Sequence, residues 1–406
     1  MRIAFVNWTN RVVGGAEQYV RRSAEFLLEM GHEVSLWYEL EGPLERESIM
    51  DPGTVSCWCA DSLGTGQAVK QLTRWGPDII YCHGLHDANK EAEIIPVAPS
   101  VFFAHSYLGT CVGEKRVTAF PSLRSCERRF GLSCLGLFYP LRCGGLSPVT
   151  ALSNYQNNVR RLEVLARYSA VITHSDFVAR LYRNQGIQCR QIRFISDSAS
   201  PGGYGTGSWS LGSHWRFLML ARMEKVKGGH ILLDALPAVS RALQHPIKLT
   251  MAGDGPCRAA WERKAAQILR KDPRIEIEFP GWLSGERLQA VLQQTDLLLM
   301  PSLWPEPFGL TGLEAARWGA PCVAFRVGGI PDWLTDGVNG GLAEADPASP
   351  ASYARAITRI LSDEGLYRRL RAGAIQKAQE MTMDVHYDDL IQVFENVTGC
   401  RQVVQS

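Results

Sequence analysis

The sequence has no uninterrupted apolar stretch approaching the roughly 18 residues that a bilayer crossing requires, so any membrane contact is expected to be peripheral. It also lacks a charge imbalance. Its 43 Lys and Arg stand against 41 Asp and Glu, a formal +2, which removes the case for a nucleic-acid partner. No secretory signal precedes the strand-like Ile3-Ala4-Phe5-Val6, and the eleven cysteines are odd in number and scattered. A reducing, cytoplasmic setting is therefore expected rather than a disulfide framework. Neither G-x-G-x-x-G nor G-x-x-x-x-G-K-[ST] occurs, which excludes the usual dinucleotide and P-loop fingerprints. There is no Asp-x-Asp motif and no internal repeat. What is present is ordinary globular composition, 46% hydrophobic and 21% charged, over 406 residues, enough for two domains.

Short apolar runs alternate with amphipathic helical patterns, as in βαβ units with parallel sheets. Strands are expected at Ile3–Val6, Glu33–Tyr38, Asp78–Cys82, Ser100–Ala104, Ala170–Thr173 and Gln191–Ile195, with a helix over Ala16–Met30. A Gly- and Ser-rich stretch, 200–213, reads as an interdomain linker. A second series follows, with strands at Arg216–Ala221, Ile247–Met251, Ile275–Phe279, Asp296–Met300 and Cys322–Phe325. Helices Ser352–Leu361, Leu366–Glu380 and His386–Asn396 close the chain. The expected organisation is an N-terminal Rossmann-like domain at 1–199, a C-terminal one at 214–383, and a helix and tail at 384–406 whose return to the first domain is left open. Two facing doubly wound α/β domains imply an interdomain cleft, because open parallel sheets bind ligands beyond the carboxyl ends of their strands.

Three segments fall at such ends. Val12-Val13-Gly14-Gly15-Ala16-Glu17 joins the first strand to the first helix, where glycines let backbone amides approach an anion, or simply form a tight turn. Arg222 and Lys227 follow the first strand of the second domain and suit a diphosphate, against the plainer reading of a solvated basic turn. The third runs from Pro301 to Pro321. It offers backbone donors at Leu310, Thr311 and Gly312 and two carboxylates, Glu306 and Glu314, able to accept from sugar hydroxyls. Its plainer reading makes Glu314 a complement to the helix dipole and Glu306 a surface residue.

Glu306 and Glu314, separated by seven residues within EPFGLTGLEAARWGAPCVAF and followed by Val327-Gly-Gly-Ile-Pro-Asp332 and Asn339-Gly-Gly, resemble the signature of retaining glycosyltransferase family 4, whose fold is GT-B. Arg222, Lys227-Gly228, Gly253-Asp-Gly-Pro256 and Phe279-Pro-Gly281 resemble further motifs of that family. So do GGAEQYV, Pro77–His83 and Val101–His105 in the first domain. The resemblance covers nearly the whole chain and is densest from Arg216 to Gly341. It implies that His105, Arg222, Lys227 and Glu306 are catalytic. Gly15, Gly281, Trp282, Phe308, Gly309, Leu310, Thr311 and Glu314 would join Arg222, Lys227 and Glu306 in holding the donor. Two departures stand out: Phe194-Ile-Ser-Asp-Ser198 replaces the frequent Asn-Gly pair, and His105-Ser106-Tyr107 lacks the frequent His-Asp.

The function so implied is transfer of a hexose-type sugar, with retention, from a nucleoside diphosphate sugar to an acceptor hydroxyl in glycan, exopolysaccharide or glycolipid synthesis. No cofactor or metal is required, because Arg222 and Lys227 take a cation's place. A nucleotide-sugar epimerase of the same fold is the runner-up, and a non-catalytic nucleotide-sugar binder a third reading. Cys111, Cys126, Cys134 and Cys143 cluster after His105, but with irregular gaps and no C-x-x-C, so scattered thiols are preferred over a metal site. From Lys115 to Arg193 there are 13 Lys and Arg against 3 acids, whereas Met1 to Glu114 holds 8 against 15. The expected acceptor is a glycan, a lipid-linked molecule or a small molecule carrying phosphate or carboxylate, and the apolar Phe130–Tyr139 embedded in the basic part favours a lipid-linked or membrane-proximal one. Docking on an anionic inner membrane face stands beside it, as does a merely solvated face.

Overall fold

The computed structural model describes residues 1–193 and 210–399. The proposed linker at 200–209, the Phe194–Ser198 departure and the end of the strand expected at Gln191–Ile195 lie outside them. The chain divides into two compact units, one of residues 1–115, 127–192 and 387 onward, the other of 116–126 and 193–386.

In the N-terminal unit the strands are β1 (Arg2–Thr9), β2 (Glu33–Leu40), β3 (Ser56–Cys59), β4 (Ile79–Cys82) and β5 (Ser100–Ala104). A short antiparallel hairpin, β6 (Val117–Thr118) and β7 (Arg124–Ser125), belongs to the other unit. β8 (Ala170–Thr173) and β9 (Cys189–Gln191) complete the first sheet, whose order is β3-β2-β1-β4-β5-β8-β9. Its pairs are parallel; Ile3 faces Val34 on one side and Ile79 on the other. Strands apolar on both faces fit this, because helices must cover both. The helix Gly15–Glu29 buries Tyr19, Val20, Ala24 and Leu27, one face at helical spacing. The helix Met383–Thr398 brings Tyr387 onto Phe26, with ring centroids 4.1 Å apart, and Phe394 onto Tyr81 at 5.1 Å.

The C-terminal sheet comprises β10 (Trp215–Leu220), β11 (Ile247–Ala252), β12 (Ile275–Gly281), β13 (Leu297–Met300), β14 (Cys322–Phe325) and β15 (Gly340–Ala343) in the order β12-β11-β10-β13-β14-β15, again parallel. Two of its helices start at polar caps: Ser349 accepts from the Ser352 amide and Asp363 from that of Leu366. Each sheet reverses its winding beside its first strand, between β1 and β4 and between β10 and β13. The loops leaving those strands' carboxyl ends are where an open α/β sheet receives ligands.

Candidate functional site

Lys227 follows β10 and Glu306 follows β13, so the two flank the reversal of the C-terminal sheet. Lys227 Nζ donates to Glu306 Oε1 at 2.7 Å and sits 4.4 Å above the Trp304 ring, a cation–π contact. Both side chains are largely buried, which strengthens their attraction over that of a surface pair. The loops that carry them interlock. Leu303 and Trp304 donate to the Val226 carbonyl at 2.8 and 3.2 Å, and Gly329 donates to the Glu306 carbonyl at 2.7 Å. Two glycines permit that closeness: a Cβ on Gly228 would fall 1.8 Å from the Pro301 carbonyl oxygen, and one on Gly328 2.2 Å from that of Glu306.

Arg222, five residues before Lys227 in the loop after β10, is 73% exposed at its side chain and held by Glu224 at 3.3 Å. It is a cation at the same edge, set out toward solvent. Glu314 stands half-buried in the first turn of the helix Thr311–Arg317. Gly281 ends β12 at a positive φ of 80°, and Trp282 beside it is 67% exposed.

Two backbone groups of the Pro301–Pro321 stretch are engaged within the chain. The Phe308 ring is buried and its carbonyl accepts from the Trp333 indole at 2.7 Å, so this residue packs the loop. The Gly312 amide is engaged within the turn by the Gly309 carbonyl at 3.2 Å. Gly309, Leu310 and Thr311 remain at the helix start. Trp304 and Trp333 were not singled out from the sequence, although Trp304 lies inside the stretch that drew attention.

In the N-terminal unit, Gly15 is the exposed first residue of its helix, and a Cβ there meets nothing within 4 Å. The loop before it is fixed by Glu17, which accepts from the Trp8 indole and the Gly14 amide, both at 2.8 Å. His105 follows β5, half-buried against Tyr19 and Phe103, with His83 Nδ1 2.9 Å from its Nε2. Sequence reasoning passed over Glu17 and His83 as site residues, though both lie inside quoted motifs.

The four cysteines do not assemble a metal site. Cys134 and Cys143 pack against a small apolar cluster of Val112, Phe130, Phe138 and Ala151, while Cys126 belongs to the other unit. Among the described residues no group of three or more His, Cys, Asp or Glu is arranged to hold a metal, and no helix is long and apolar enough to cross a membrane.

Comparison with known proteins fits these two sheets. The family model described as "Glycosyl transferases group 1" matches residues 211–377, and that of "Glycosyltransferase Family 4" matches 13–142. An uncharacterized glycosyltransferase of Methanocaldococcus jannaschii is 26% identical over 403 residues, 90% of each chain. The D-inositol 3-phosphate glycosyltransferase of Corynebacterium urealyticum is 30% identical over 182 residues, covering 44% of this chain and 42% of that one. Among solved structures, Anabaena HepE in complex with UDP and glucose superposes with a TM-score of 0.64 at 18% identity, over 98% of this chain and all of the other. The two sheets and both family matches together identify the chain as a glycosyltransferase of GT-B fold, with a family 4 type N-terminal region and a group 1 C-terminal region.

Proposed function

We propose that the protein transfers a hexose from a nucleoside diphosphate sugar to an acceptor hydroxyl, with retention and without a metal ion. The Lys227–Glu306 pair at the reversal of the C-terminal sheet carries the reading. The ammonium and the carboxylate are each other's partner. A bound donor gives each a second partner: the ammonium takes the diphosphate and the carboxylate takes sugar hydroxyls, so one contact spans the bond to be broken. Arg222, outward at the same edge, closes on the diphosphate. Glu314 takes the ribose, Gly281 and Trp282 border the base, and Gly309 to Thr311 supply backbone groups. His105 orients a hydroxyl of sugar or acceptor, and Gly15 lets a phosphate approach the amides at its helix start.

The bond from the anomeric carbon to the diphosphate oxygen breaks, and the electron pair leaves with the diphosphate. The acceptor oxygen bonds to the same face, and its proton passes to a departing phosphate oxygen. Lys227 and Arg222 stabilise the charge that accumulates, the role for which fixed cations are worth most in a water-poor site. Glu306 positions the sugar and forms no covalent intermediate. Relatives solved with UDP and glucose make UDP-linked sugars the first donors to try.

The acceptor is proposed to be lipid-linked or met at an anionic membrane surface. Phe130, Phe138 and Ala151 bury a small cluster with Val112, while Leu132, Leu146, Val149 and Leu152 in the same stretch stand exposed, Leu146 at 88%. Arg128, Arg129 and Arg142 are exposed in the same stretch. Other basic residues of this region serve the fold. Arg161 is buried against Glu91, and Arg180 and Arg183 pair with Asp176.

Thermal stabilisation by UDP-, GDP- and ADP-linked sugars, then hydrolysis of the stabilising donor without acceptor, tests the reading. Release of the sugar with its anomeric configuration kept, in the presence of a chelator, is the expected result. A sugar altered while still on the nucleotide would favour the epimerase instead.

A further inference from the structure

Three neighbouring parallel strands of the N-terminal sheet each run directly into a histidine: β4 into His83, β5 into His105 and β8 into His174. The reading above uses only His105. His174 stacks on Phe103 with centroids 5.7 Å apart. His83 is different, because its Nδ1 lies 2.9 Å from His105 Nε2.

Around His83 is an aromatic cage. Tyr81, Phe5, Tyr19 and Phe103 place their ring centroids 4.3, 5.7, 5.8 and 6.2 Å from its own. The side chain is buried, and among the described residues no hydrogen-bond partner reaches its Nε2. Leaving a buried polar atom unsatisfied costs about 1–3 kcal/mol, so packing alone favours a hydrocarbon ring of the same shape here. The chain carries an imidazole instead, and its one hydrogen-bond partner among the described residues is His105. Burial, and then the nearby His105, hold the His83 imidazole well below its ordinary range, so it stays neutral.

We propose that His83 is a positioning residue for His105, fixing the orientation and tautomer of that ring through the Nδ1 to Nε2 hydrogen bond. Only one proton lies between the two nitrogens, so the tautomers are tied together. If His83 donates, His105 carries its proton on Nδ1; if His105 donates, its Nδ1 is a bare acceptor. A buried unmet N–H is the costlier orphan, so His83 Nε2 stays bare and Nδ1 carries the proton; His105 then holds its own proton on Nδ1, one pattern, as an orienting group requires. The inference rests on the proposed role of His105.

The test uses the full chain. Nitrogen-15 NMR of the wild-type imidazoles is expected to show His105 as one tautomer, becoming a mixture in His83→Phe; a wild-type mixture would overturn the proposal. His83→Phe is expected to keep or raise the melting temperature and leave UDP binding unchanged. Its kcat for hydrolysis of the stabilising nucleotide sugar should fall at least about tenfold. His83→Asn, which keeps a polar atom near the Nδ1 position, is expected to recover part of that loss. Full kcat in His83→Phe beside a crippled His105→Ala would refute the positioning role and leave the site reading standing. Full kcat in His105→Ala would instead remove the reading on which the inference rests.

Discussion

The two sheets present different kinds of glycine at their ligand edges. In the C-terminal unit Gly228 and Gly328 are demanded by the protein itself, because a side chain at either would enter a neighbouring carbonyl, at 1.8 and 2.2 Å. In the N-terminal unit none of the described residues comes within 4 Å of a Cβ added at Gly15. The C-terminal edge is thus packed by the chain's own contacts, with Lys227 touching both Glu306 and Trp304. Among the described residues no contact requires glycine at 15, so a loss of function on adding a side chain there would point to a ligand. A residue's cost to stability and its cost to activity should therefore separate between the two edges.

The largest expected effect tests the prebuilt edge. Lys227→Ala and Glu306→Ala should each lower turnover at saturating donor by about 10²- to 10³-fold, the usual loss when a fixed charge-stabilising group is removed. Circular dichroism should show both variants folded. Undiminished turnover in both would remove the site.

Next comes the glycine contrast. Gly228→Ala should cost at least about 3 kcal/mol, enough to lower the melting temperature of a unit this size by roughly 6–12 °C in a thermal scan. Gly15→Ala should leave the melting temperature level or slightly higher, since alanine favours a helix start over glycine, while weakening UDP in calorimetric titration. Unchanged UDP affinity in Gly15→Ala would erase the distinction.

The smallest effect concerns the acceptor side. Leu146→Ser with Val149→Ser should reduce co-sedimentation with vesicles rich in phosphatidylglycerol by about thirtyfold, each exposed apolar side chain contributing about 1 kcal/mol when covered. Hydrolysis without acceptor should not change. Binding equal to that of wild type would leave this face without a lipid role.

Much of the fold was legible because its central strands are unbroken apolar runs. Phe5, Ile80, Phe102, Leu249 and Leu298 lie in strands expected from sequence, and all are buried. The edges were not legible. β3, Ser56-Cys-Trp-Cys59, is short and flanked by turn residues, and β15, Gly340-Gly-Leu-Ala343, has no β-branched residue. Gly340 belongs in that strand because a Cβ would lie 2.2 Å from the Cys322 carbonyl oxygen, a reason that pairing reveals and local pattern does not. β9 ends two residues after Cys189, earlier than the apolar Ile192 suggests.

At the site, Lys227 and Glu306 were recognisable by resemblance, but their direct contact across 79 residues was not. The His83 to His105 bond was equally hidden, since 22 residues separate partners that only adjacent parallel strands bring together. Gly312 was read as a phosphate donor and instead makes room for Trp333, whose indole would sit 1.9 Å from an added Cβ. Local sequence shows which groups stand at a strand's end, but not which of them are already engaged.

The most direct test is a crystal structure with UDP bound. The account predicts the β-phosphate within about 4 Å of Lys227 Nζ and of the Arg222 guanidinium, an ion-pair distance, with Glu306 still beside Lys227. A β-phosphate seated away from both cations would contradict it.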